Sequence, residues 1–174
     1  MGILTRFKDI MEANINALLD KAEDPEKMVD QYLRNLESDL GKVKAETAAV
    51  MADEAKAKRE LDSCKQEVDK YQAYAEKALK AGNESDARAF LEKKQSVARK
   101  LETLQQNYDL ATANATKMRE MHDKLVKDIN SLKERRDEIK AKANQAKAMQ
   151  EHNKIRNNVS DTSSAMAGLD RMDE

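Results

Sequence analysis

Apolar residues recur alternately three and four positions apart along most of the chain. The first run is Val29, Leu33, Leu36, Leu40, Val43, Thr47, Val50, Glu54, Ala57, Leu61, Cys64, Val68, Tyr71, Ala75 and Ala78. After a short break a second run reads Phe90, Lys94, Val97, Leu101, Leu104, Tyr108, Ala111, Ala115, Met118, His122, Leu125, Ile129, Leu132, Arg136, Ile139, Ala143 and Ala146. A mean spacing of about 3.5 residues is that of a coiled-coil seam, where a narrow stripe of each helix is buried against a partner. No run alternates with period two between turn residues, so strands are not expected. The pattern predicts an all-α chain of long helices, with no interior for a catalytic pocket.

Three polar breaks divide the pattern. At Asp24-Pro25-Glu26, Asp24 can cap, Pro25 suits a first helical position and Glu26 favours the positive helix end. Between Ala81 and Asp86, Gly82 can adopt the left-handed conformation that ends a helix and Asn83 can cap the next, with Glu84 and Asp86 in its first turn. The hairpin tip is thus Gly82, Asn83, Glu84, Ser85 and Asp86. The third break, Asn157–Ser164, is polar and poor in helix formers. The predicted organisation is an amphipathic helix over 1–22 and a long helical hairpin over 24–152. A linker over 153–164 and the start of a shorter C-terminal helix over 165–174 follow.

A tight connection between two seam-bearing helices makes them antiparallel. Folding the seam about Gly82 and Asn83 sets Tyr71 opposite Val97, Cys64 opposite Leu104, Val50 opposite Met118 and Val43 opposite Leu125. Thr47 then faces His122 in a polar layer, a device that fixes register at some cost in stability. Lys94 and Arg136 are expected to lay their stems along the seam with their charges in water. Glu54 falls near Ala115 and Lys117, where a salt bridge at the seam edge is expected.

The first nineteen residues differ in kind. At 100° per residue, Ile3, Leu4, Phe7, Ile10, Met11, Ile15 and Leu18 share one side of a helix, while Arg6, Asp9, Glu12, Asn16 and Asp20 face away and Lys8 lies near the boundary. So wide an apolar arc must be buried against the hairpin, a partner or a lipid interface. The charges on this segment cancel, and by residue type alone ordinary packing is favoured over lipid. The candidate membrane-binding set is the seven arc residues with Arg6 and Lys8 beside them.

Composition and charge narrow the function. Charged residues make up 37% and aromatics 3%, the profile of a coiled coil or long helix rather than a compact globule. The net charge of −1 does not favour nucleic acid. Cys64, the single cysteine, sits on the seam and reads as a small buried hydrophobe. No apolar run approaches the roughly 20 residues of a membrane span. Asp9 and Glu12 interrupt what would be a signal peptide, and Arg6 stands where a myristoylation signal wants Ser or Thr. Phosphate loops, nucleophile elbows, His-Glu-x-x-His and paired cysteines are all missing from the sequence. No catalytic residue, metal site or cofactor is expected, nor an enzyme. The basic cluster Lys133-Glu134-Arg135-Arg136 reads first as a solvated face, then as a surface for anionic lipid or a neighbouring subunit.

Particular residues then point further than the pattern. Met1-Gly2-Ile3-Leu4-Thr5-Arg6-Phe7-Lys8-Asp9-Ile10 and Lys21-Ala22-Glu23-Asp24-Pro25-Glu26-Lys27 closely resemble the opening of the phage shock protein A / IM30 (Vipp1) family. Lys80-Ala81-Gly82-Asn83-Glu84-Ser85-Asp86-Ala87-Arg88 with Phe90-Leu91-Glu92-Lys93-Lys94 resembles that family's hairpin turn, and Met118–Leu125 and Leu169–Glu174 fit as well. The resemblance spans the chain and is nearest the bacterial phage shock protein A branch. It implies an ESCRT-III-like fold: an N-terminal amphipathic helix, a long antiparallel coiled-coil hairpin and a shorter C-terminal helix. Members usually continue past the segment matching Leu169–Glu174 into a further helix that packs on a neighbour's hairpin tip. The sequence stops short of that helix, which leaves the form of the polymer open.

What the resemblance implies about function is a self-assembling peripheral membrane protein. It would bind, protect and remodel the bacterial inner membrane under envelope stress, from the cytoplasmic face. Its partners would be an anionic or stressed bilayer and further copies of itself in rods, spirals or rings, with no nucleic acid. The alternative is a soluble coiled-coil regulator whose first helix docks on a protein such as an AAA+ transcriptional activator.

Overall fold

A computed structural model describes the backbone of residues 2–172 and the side chains of residues 2–160. The chain begins with a 3-10 turn, Ile3–Arg6, followed by α1 (Phe7–Glu12) and α2 (Ile15–Asp20), then the long helices α3 (Pro25–Lys80) and α4 (Glu84–Met172). No strand occurs among the described residues. The all-α architecture expected from the seam is the one observed. The residues group into two compact units, Met1–Ala13 with Leu36–Lys127 and Asn14–Asn35 with Asp128–Glu174.

The helix ends follow from their residues. Asp24 Oδ1 accepts the Lys27 N–H at 3.3 Å, capping α3, and Pro25 opens it where no amide donor is needed. At the other end Gly82 takes φ of 80°, the Asn83 N–H donates to the Ala78 carbonyl at 2.9 Å, and the Gly82 N–H to that of Leu79 at 3.1 Å. That pair of bonds is a Schellman motif, which satisfies carbonyls the helix would otherwise leave open. Asn83 then turns the chain into α4: its Oδ1 accepts the Asp86 N–H at 3.1 Å.

In the first unit α3 and α4 pack antiparallel along the expected seam. Val43, Met118 and Leu125 lie in one buried cluster, with Val50 packed against it. Farther toward the tip the Cys64 thiol donates to the Val97 carbonyl at 3.4 Å, and Cys64, Val97 and Leu104 line one surface groove. The Tyr74 and Phe90 rings meet at 5.3 Å between centroids. Of the seam positions, only Ala146 is exposed. In a Cys64→Ala background, Val50→Cys with Met118→Cys should therefore crosslink within one chain under mild oxidation. Products between chains only, resolved by denaturing electrophoresis, would contradict this register.

Several polar expectations resolve differently. Thr47 and His122 share no hydrogen bond across the seam among the described residues: the Thr47 hydroxyl donates to the Val43 carbonyl at 2.6 Å, and His122 Nδ1 lies 3.2 Å from Asp123 Oδ1. Each finds its polar partner within its own helix. Lys94 reaches Gln72 Oε1 at 2.6 Å. Glu54 makes no bridge to Lys117, whose ammonium lies over the Phe7 ring at 5.3 Å; Glu54 Oε2 is buried without a partner.

Two expected boundaries also differ. The N-terminal segment is not one helix, as the next subsection describes. The linker expected over 153–164 is instead helical, and α4 runs on to Met172 with no separate C-terminal helix over 165–172. Asn157–Ser164 contains neither Gly nor Pro. Its Asn, Ser, Thr and Asp residues cost up to about 0.7 kcal/mol each relative to Ala, which weakens a helix without stopping it. Asp173 and Glu174, the end of the expected helix, lie outside the described residues.

Candidate functional site

The candidate site is the N-terminal segment, broken by its own residues. Thr5 returns both its amide N–H and its hydroxyl to the Gly2 carbonyl, at 3.2 and 2.9 Å, tightening the first turn to 3-10 geometry. The α1 helix stops at Ala13, which is extended at φ −64° and ψ 129°. Asn14 then caps α2 by accepting the Ala17 N–H at 3.1 Å. The break resets the angular phase of the wheel. Leu18, placed on the apolar arc by a continuous helix, is 48% exposed, and Leu19 is fully buried in its stead.

In the first unit, residues 2–13 lie on the hairpin. Ile3 and Ile10 are buried in one cluster with Val43, Met118, Met121 and Leu125, while Leu4, Phe7 and Met11 pack against it half-buried. Polar contacts fasten the same segment at both ends. The Ile3 N–H donates to Glu46 Oε2 at 2.7 Å, and Arg6 Nη1 meets Asp39 Oδ1 at 2.7 Å. Lys117 stands over Phe7, and Lys124 Nζ donates to the Ala13 carbonyl at 2.9 Å. A Cβ on Gly2 would run into the Glu46 carboxylate, so the chain enters this contact with no room to spare. Lys8 is exposed.

The second unit holds the other two candidates separately. There Ile15 is buried with Leu19, Val29, Leu33, Ile129 and Leu132 in its interior. Asn16 and Ser131 exchange hydrogen bonds, and Arg135 reaches both the Asn16 carbonyl and the Asp20 carboxylate. Arg135, read from the sequence as part of a solvated basic cluster, is instead partly committed to α2.

Sequence reasoning missed Met121, Asp39, Glu46, Lys124 and Leu19. Met121 carries the clearest signal: with Met118 and Leu125 it makes a second apolar stripe beside the seam, as a third packing element requires. Chemically, the arrangement is a packing contact with an amphipathic face on one side. Burying side chains such as Ile and Phe is worth roughly 1.5–3 kcal/mol each, wherever the apolar environment comes from. The face held by the hairpin is the one whose residue types favour ordinary packing and to which the family resemblance assigns a lipid contact. The described residues contain no group of three or more His, Cys, Asp or Glu that could hold a metal ion, and no helix long and apolar enough to cross a membrane.

The tip residues Gly82, Asn83, Glu84, Ser85 and Asp86 are all exposed and form the turn between α3 and α4. Asn83 Nδ2 donates to Asp86 Oδ2 at 2.6 Å, closing a local ring of bonds at the start of α4.

Comparison with known proteins identifies relatives of the chain. The chain is 59% identical over 174 residues to the phage shock protein A homolog of Bacillus subtilis (strain 168), covering all of this chain and 77% of that protein. It is 29% identical over 174 residues to the membrane-associated protein Vipp1 of Nostoc punctiforme, again covering all of this chain and 67% of the relative. Protein LiaH of Bacillus subtilis matches at 26% identity over 151 residues, 87% of this chain and 67% of that protein. The model of the PspA/IM30 family matches residues 2–174, and the chain belongs to that family.

Proposed function

We propose that this protein is a membrane-associated scaffold of the stress response, a peripheral protein that binds bilayers with its N-terminal apolar face and assembles through the hairpin. One observation carries the reading. An apolar face wide enough for an interfacial helix is attached to the hairpin by a segment of a dozen residues, ended by an extended residue at Ala13. Kinship with proteins named membrane-associated supports it. In this reading Ile3, Leu4, Phe7, Ile10 and Met11 exchange the hairpin for the acyl boundary, with Arg6 and Lys8 at headgroup level. Ile15 and Leu18 follow only if α2 also leaves its unit.

The seam is consumed inside each hairpin, so assembly into rods, spirals or rings must use other helical surfaces. Met51 and Leu110 are 55% and 63% exposed and are available for that purpose. Many weak contacts then sum to avidity on the bilayer. Protection and remodelling of the inner membrane from its cytoplasmic side would follow from such a coat, without enzymatic chemistry. The packed state of Phe7 keeps the second reading in view, in which the segment docks on a protein such as an AAA+ activator.

Co-sedimentation with anionic vesicles, comparing the protein with and without residues 1–22, separates the two. Binding should be lost on deletion while helicity and particle size persist. Equal binding by both forms would contradict the proposal.

A further inference from the structure

Asp39 is an anomaly on α3. It is 4% exposed, between Leu36 and Leu40, which pack against the buried cluster. Among the described residues its only polar partner is Arg6, at 2.7 Å. The Arg6 side chain is half exposed, whereas that of Asp39 is buried. The counter-ion of this carboxylate is therefore carried by the very segment that the membrane reading requires to leave. A buried carboxylate without a partner is strongly unfavourable, so the pair is asymmetric: Asp39 needs Arg6 more than Arg6 needs Asp39.

We propose that Asp39 is the specificity-determining residue that makes release of residues 2–13 depend on anionic headgroups. The inference rests on the membrane reading above. Arg6 gives up its charge-assisted bond without loss only where a second anion receives the guanidinium, and phosphate oxygens accept charge-assisted bonds from its N–H groups as a carboxylate does. An anionic bilayer supplies that anion together with an apolar boundary for Ile3, Phe7 and Ile10, and its surface potential draws the cation to it. Once the segment lifts, Asp39 regains water, so the exchange strands no charge. Free phosphate supplies the anion alone, and the segment stays docked. A net-neutral bilayer lacks the attraction that makes the exchange favourable. The Glu46 carboxylate holds only the Ile3 backbone amide, and its bond carries no such selectivity.

The test is a two-step substitution read in two ways. Arg6→Gln leaves Asp39 buried and unpaired in the docked state. Adding Asp39→Asn removes the stranded charge and restores a neutral pair. Amide hydrogen exchange over residues 3–12, without lipid, should quicken by roughly five- to a hundredfold in Arg6→Gln, and return toward wild type in the double variant. Binding to phosphatidylcholine vesicles should rise and fall in parallel, while wild type binds only when phosphatidylglycerol is added. Inorganic phosphate should leave wild-type exchange unchanged. Unaltered exchange in Arg6→Gln, with anionic binding of wild type intact, would overturn the role of Asp39 and leave the membrane reading standing. Exchange that follows the expected pattern, with no binding to any vesicle, would overturn the membrane reading and the selectivity with it. Quickening by phosphate alone would show that the anion and not the surface is the trigger, and would also overturn the proposal.

Discussion

Phe7→Glu should abolish stable binding to anionic vesicles and leave the helix content unchanged. Phe7 lies in the middle of the apolar face, half-buried on the hairpin with the Lys117 ammonium over its ring at 5.3 Å. In the docked state the new carboxylate can turn toward that ammonium, so the hairpin tolerates the change. In the bilayer it has no such partner. An acidic residue at the centre of a spanning helix costs about 2.5–3.5 kcal/mol, and the cost at the shallower interface is smaller. Repeated in every subunit of an assembly, that smaller cost still removes the avidity on which binding depends. Vesicle flotation and circular dichroism on the same variant check the result. Full flotation with unchanged helicity would show that this face is not the anchor.

Met121→Ala should act in the opposite direction, loosening the N-terminal segment and raising vesicle binding. Met121 is fully buried in the cluster that holds Ile3 and Ile10, and it lies off the seam between α3 and α4. Truncating a buried Met to Ala typically costs about 2–5 kcal/mol. Because its position serves the third element, that loss should appear chiefly as undocking of residues 2–13. Faster amide exchange over residues 3–12, with the rest of the hairpin protected, is the expected signature. A fall in global melting temperature with unchanged local exchange would assign Met121 to the seam instead.

The hairpin was legible because its code is local. A period of 3.5 residues needs no knowledge of the partner, and Asp24-Pro25 and Gly82-Asn83 act through their own backbone preferences. Amphipathicity is weaker evidence. It says that Ile3, Phe7 and Ile10 must be buried, without saying against what. The second stripe at Met118, Met121 and Leu125 answers that question, and it was hidden because two of its members also serve the seam. Asp39 was hidden for a different reason: a carboxylate on a highly charged helix looks solvated until a cation and an apolar segment are brought to it by the fold. Leu18 was misplaced because a helical wheel assumes continuity, and Asn14, a strong capping residue, breaks it. Low helix propensity alone suggests a linker at Asn157–Ser164, although no residue in it terminates a helix.

The central claim is that the face now packed on the hairpin is the face that enters the bilayer, and that it must leave the one to reach the other. A reversible tether tests it most directly. In a Cys64→Ala background, Ile10→Cys and Met121→Cys place two thiols in one buried cluster. A short, cleavable bis-maleimide can then join them within one chain. The tethered protein should keep its helicity and fail to float with anionic vesicles, and cleavage of the tether should restore flotation to the untethered level. Undiminished flotation with the tether intact would contradict the account.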